Sequence, residues 1–178
     1  MVKRNAVFLA PLAVAVAALP AILVGPASAT LAPSGGLVHL YQVDDFNTGN
    51  TGQVVMTGAI ADHGVDNEGP VSPALNVISL SKGTFEVDLT NFGTGKVPVH
   101  VNDTNCSYEA VVTGKVPIVP GSGTGAYTGI NGTFNVNATY VGILPPLTGA
   151  NGPCDTSQWG SPPSLDFIEG SAVVSFSG

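Results

Sequence analysis

Apolar and polar residues alternate along much of the chain beyond residue 30. Phe85, Val87 and Leu89 fall on one face of an extended segment, with Thr84, Glu86, Asp88 and Thr90 on the other. Val97, Val99 and Val101 oppose Pro98, His100 and Asn102. Phe134, Val136, Ala138 and Tyr140 oppose Asn135, Asn137 and Thr139. Successive side chains of a strand point to opposite faces, so this period of two predicts half-buried antiparallel strands. Further strands are predicted over 37–43, 53–61, 75–80, 108–119 and 170–176. Long helices are excluded by the frequency of glycine and proline. The longest stretch free of both is 99–113, and Asn102, Asp103, Thr104 and Asn105 break it with turn chemistry. Eight short strands separated by turns predict an all-β fold, an eight-stranded antiparallel β-barrel, with a β-sandwich as the alternative. A closed barrel also hides the edges that make a valine-rich chain prone to aggregate.

The first 29 residues follow a different pattern. Lys3 and Arg4 precede an apolar run from Ala6 to Val24, and Ala27-Ser28-Ala29 supplies the small residues a signal peptidase reads. Residues 1–29 are therefore expected to be a cleaved signal peptide and 30–178 a single β domain that works outside the cytoplasm, secreted and with no membrane attachment after cleavage. Past residue 29 only Lys82, Lys96 and Lys115 stand against twelve acids, a net charge of −9. Such a surface repels phosphate backbones and anionic headgroups, which argues against nucleic acid and anionic membrane as partners. Cys106 and Cys154 form an even pair, read first as a disulfide in an oxidising compartment. The bridge would close 49 residues and is worth about 4 kcal/mol in the chain-entropy model. It would order the Pro/Gly/Ser/Asn-rich stretch 144–163, predicted as one long loop.

The most distinctive segment runs from Gly121 to Phe134 and holds glycine at 121, 123, 125, 129 and 132. Phosphate binding is rejected: Thr128 stands where G-x-G-x-x-G needs glycine, and the segment leads into a strand rather than a helix. Glycines here permit positive φ and close backbone approach, with Tyr127 as one large anchor between them. The order strand, Gly123-Thr124-Gly125, Tyr127, Gly129, Gly132, strand is similar to the late hairpin of the allene oxide cyclase and dirigent-protein barrels, above all to their secreted bacterial relatives. The resemblance covers about fifteen residues. It implies an eight-stranded barrel with an apolar lumen, often trimeric, so a homo-oligomer is expected from it. No catalytic residue of those enzymes falls on a matching motif, so none is carried over.

Catalytic motifs are missing elsewhere as well. No G-x-S-x-G occurs, and His39, His63 and His100 lie in separate segments. Asp62-His63-Gly64-Val65-Asp66-Asn67-Glu68 gathers ligand-type side chains but lacks an EF-hand pattern. It is read as an acidic loop, and no metal or cofactor is expected. Glu86, Asp88 and the Asp44-Asp45 pair lie near apolar strands. Any of them that points into a lumen should have its pKa raised by desolvation and become a general acid or base. The expected function is binding of a small apolar ligand, or a structural role, without catalysis. The alternative is a cyclase-like or dirigent-like enzyme that steers a reactive apolar substrate. A carboxylate or tyrosine buried in an apolar cavity would separate the two.

Overall fold

The computed structural model describes residues 34–45, 51–68, 74–147, 152–158 and 163–177. The predicted signal peptide lies outside them, as do parts of the predicted 144–163 loop. The strands are β1 (Gly36–Asp45), β2 (Thr51–Gly58), β3 (Asp62–Glu68), β4 (Leu75–Leu80), β5 (Gly83–Asp88), β6 (Val99–Val101), β7 (Ser107–Pro117), β8 (Ile130–Asn131), β9 (Thr133–Ile143) and β10 (Ser164–Phe176). The all-β expectation holds. The closed eight-stranded barrel does not, and neither does the two-sheet sandwich. Nine strands form one curled antiparallel sheet in the order β5-β4-β3-β2-β1-β10-β9-β7-β6, with β8 paired to β10 off that path.

Closure fails between β5 and β7: Val87 of β5 forms one isolated bridge with Ile118, just past the end of β7, and no ladder joins the two strands. The chain leaving β7 instead straps one end of that gap. Val119 N–H donates to Glu86 O at 2.9 Å, Thr124 N–H to Thr84 O at 2.8 Å and Ala126 N–H to Lys82 O at 2.9 Å. Beyond the strap, Phe92 covers part of the gap by lying against Gly114 of β7, where a Cβ would meet its ring at 2.8 Å.

The concave face holds the core: Val38, Leu40, Val54, Met56, Ile60, Ile78, Leu80, Phe85, Val87, Val116, Ile118, Tyr127, Ile130, Phe134, Ala172 and Val174. Full burial of such aliphatic and aromatic side chains stabilises by about 1.5–3 kcal/mol each. A smaller cluster of Tyr108, Leu144 and Cys154 packs beside Val99, Val101 and Tyr140. There the Cys106–Cys154 disulfide forms as predicted, with Cα atoms 5.4 Å apart.

Two strand boundaries differ from the sequence reading for one physical reason. Asp62–Glu68 is strand β3, not an acidic loop, and β10 begins at Ser164 rather than at residue 170. In both stretches polar residues face inward. Asp62, Asp66, Ser164 and Asp166 are buried, while Leu165 and Phe167 are exposed on the convex face. The apolar–polar alternation is inverted there, so it signals no core-facing strand.

Candidate functional site

The concave face ends differently at its two sides. At one end the glycine-rich segment seals the sheet. Tyr127 is 1 % exposed and meets Phe85 edge-on, with ring centroids 5.8 Å apart. Close backbone contact requires the glycines around it: a Cβ at Gly123 would stand 1.9 Å from the Tyr127 carbonyl oxygen. Gly129, at φ +76°, would place one 1.9 Å from that of Ser177. Gly125, at φ +57°, opens the short 3-10 turn that carries Tyr127, and Gly132 separates β8 from β9. Tyr127 is thus the anchor its glycine context predicted. The segment plugs its end of the fold.

Asp62 fastens this plug. The Tyr127 hydroxyl and the Ser81 hydroxyl each donate to its carboxylate at 2.5 Å. The N–H groups of His63 and Lys82 add bonds at 2.8 and 3.1 Å. Burial alone would raise the acid, but these four donors outweigh it and hold Asp62 down at about 2. The tyrosine is pushed the other way, first by burial and then by the carboxylate it serves. The His63 side chain is exposed, its Nδ1 reaching only to 4.0 Å from Asp62 Oδ1, while Asp62 is buried, as alternation along β3 requires. Hence 62–68 does not converge as a ligand set.

The other end is open. A cavity of about 250 Å³ lies there. Its apolar wall is formed by Leu40, Ile78, Val87, Leu89, Phe92, Val116, Phe134, Val136 and Ile168; its polar wall by Gln42, Asp44, Asp66, Asn76, Tyr140 and Asp166. Phe85 lies buried beneath it in the core, and Ala138 is buried on β9. Register assembles the polar wall from residues distant in sequence. Asp166 is the direct cross-strand partner of Asp44 on one side and of Tyr140 on the other, and Asp66 pairs with Gly52. Gly52 makes the room: a Cβ there would stand 1.7 Å from Asp44 Oδ1 and 2.9 Å from Gln42 Nε2.

Gln42 is the hub, its amide donating to both Asp44 oxygens at 3.1 and 2.9 Å and to Asp66 Oδ2 at 2.7 Å. Asn76 donates to the same Asp66 oxygen at 2.9 Å. Asp166 fares differently. It is 3 % exposed, and its Oδ1 has no hydrogen-bond partner among the described residues. Burial, and then the charge of Asp44, push its carboxyl up to about 7. Asp44 is raised by burial, although Gln42 pulls it back. Tyr140 is pushed up to about 12 by burial and by the charges of Asp166 and Asp44.

Of the four carboxylates flagged in the sequence, Asp44 lines this cavity. Asp45, Glu86 and Asp88 do not, and Asp88 is lowered by bonds from Thr90. Asp66 and Asp166 were not singled out as acids for a lumen, because their strands were not recognised. His39 and His100 lie on β1 and β6, away from the cavity. Among the described residues no three His, Cys, Asp or Glu side chains are grouped to hold a metal ion, and no helix is long and apolar enough to cross a membrane. Comparison with protein-family models, curated proteins and solved structures yields no match.

Proposed function

We propose that this protein is a secreted binding module that takes a small molecule with an apolar body and a polar end into the open cavity. The observation that carries this is the division of the cavity into an apolar wall and a polar wall holding Asp44, Asp166 and Tyr140. Ligand pockets are built this way, apolar surface supplying affinity and a few polar groups fixing orientation. A cavity of about 150 Å³ admits benzene, so about 250 Å³ suits one ring with a short side chain. The Cys106–Cys154 bridge supports an oxidising compartment.

A second reading keeps the allene oxide cyclase-like or dirigent-like enzyme, and one observation favours it. A carboxyl near 7 beside a tyrosine is poised to move a proton at neutral pH. Turnover of a reactive apolar substrate that disappears in Asp166→Asn would promote this reading over simple binding.

The binding proposal is tested with 2-phenylethanol by NMR of the methyl groups. Shifts confined to the methyl groups of the cavity wall, and lost when Val136→Trp fills the cavity, are the expected outcome. No shift up to the solubility limit, or shifts that persist in Val136→Trp, would overturn it.

A further inference from the structure

Three aspartates, on β1, β3 and β10, share the polar wall, and among the described residues no lysine or arginine lines the cavity. Asp44 and Asp166 stand directly opposite on paired strands. Like charges in that position destabilise a sheet. Gln42 and Asn76 supply donors to Asp44 and Asp66, but neither donates to Asp166. That side chain is 3 % exposed, lines the cavity, and leaves Oδ1 without a hydrogen-bond partner among the described residues. A buried acceptor in this state costs about 1–3 kcal/mol, and more when charged. The missing element is a cationic donor delivered from the cavity side.

Resting on the binding reading above, we infer that the ligand is a small primary amine, its ammonium group seated between Asp166 and Asp44 and its apolar body against Leu89, Val136 and Ile168. An ammonium carries three N–H donors and no acceptor, which matches a wall of carboxylate oxygens. Among the described residues no three acids are grouped to hold a metal ion, whereas a pair of carboxylates is enough to seat an ammonium. The acidic chain, at −7 overall, also draws cations towards its surface.

The ionisable groups facing the seat are Asp44 on β1, Asp66 on β3, Tyr140 on β9 and Asp166 on β10. Alkylammonium groups stay protonated to about pH 10. Amine affinity should therefore rise between pH 6 and 8 as Asp166 ionises, with a proton released on binding at the lower pH.

Calorimetry at pH 8 compares three probes of similar size: phenethylamine, 2-phenylethanol and phenylacetate. The amine should bind at least about tenfold tighter than the alcohol, and phenylacetate should not bind. Asp166→Asn should bring the amine's affinity down to that of the alcohol measured in the same variant. Asp44→Asn, also checked for folding by circular dichroism, should reduce it as well. Equal binding of amine and alcohol, or phenylacetate binding as tightly as the amine, would overturn the amine assignment and leave the pocket standing. Failure of all three probes would overturn the pocket reading itself.

Discussion

Asp62 and Asp166 are both buried on the concave side of one sheet, yet their carboxyls are set at about 2 and about 7. Burial pushes both upward. What separates them is the supply of donors. Asp62 receives hydrogen bonds from two hydroxyls and two backbone N–H groups, enough to replace the water it lost. Asp166 faces Asp44 across the strand pair and receives no hydrogen bond at Oδ1 from the described residues. The first carboxylate is a structural fastener that holds the glycine-rich plug. The second lines the cavity with one buried oxygen that no described residue serves. A buried polar group that is fully satisfied belongs to the architecture; one left short of partners points to function.

The comparison breaks most visibly at the sealed end. Asp62→Ala leaves the Tyr127 and Ser81 hydroxyls and two N–H groups without their acceptor, with an expected cost of about 3 kcal/mol or more. For a domain of this size that lowers Tm by about 10 °C. The sign of the pH effect follows from the depressed acid. Its contribution is complete above the ordinary value of 3.8 and disappears as pH falls through about 2. Thermal melts at pH 7 and pH 2 read the difference, and an Asp62→Ala protein as stable as the parent at pH 7 would deny the fastener role.

A smaller effect of opposite sign is expected at the open end. The raised carboxyl of Asp166 favours the folded state while it is protonated. The penalty for ionising it grows from pH 3.8 upward and is complete above about 7. Asp166→Asn should therefore stabilise the ligand-free protein at pH 8 by about 2 kcal/mol, after allowance for solvent reaching the cavity mouth. Near pH 4 it should change stability little. Melts at the two pH values test this, and destabilisation at pH 8 would contradict it.

Much of the fold was legible where apolar side chains face inward. Phe85 and Val87 on β5 and Phe134 and Ala138 on β9 alternate as a half-buried strand must, and all four are buried. Tyr127 stood out as an anchor because it is the one large side chain between Gly125 and Gly129. The β3 strand and the start of β10 were hidden because the site itself occupies their inward positions. Asp62 and Asp66 make 62–68 read as an acidic loop, and 164–169 falls outside the predicted strand: Asp166 faces inward there, while Leu165 and Phe167, which look like core, lie outside. The cavity wall was illegible for a second reason. Asp44, Asp66 and Asp166 reach one cavity wall only through strand register, and nothing in the local sequence announces that β1 pairs with β10. Asp44 alone was flagged, as a carboxylate next to an apolar strand. Closure was overestimated because strand count does not specify whether the two edges meet.

The most direct test of this division between the two ends is a carboxyl-carbon NMR titration of the ligand-free protein from pH 1.5 to 9, with Asp62 and Asp166 assigned through Asn substitutions. Asp62 should show a midpoint near 2 and Asp166 one near 7. Both residues titrating together near 3.8, the ordinary aspartate value, would contradict it.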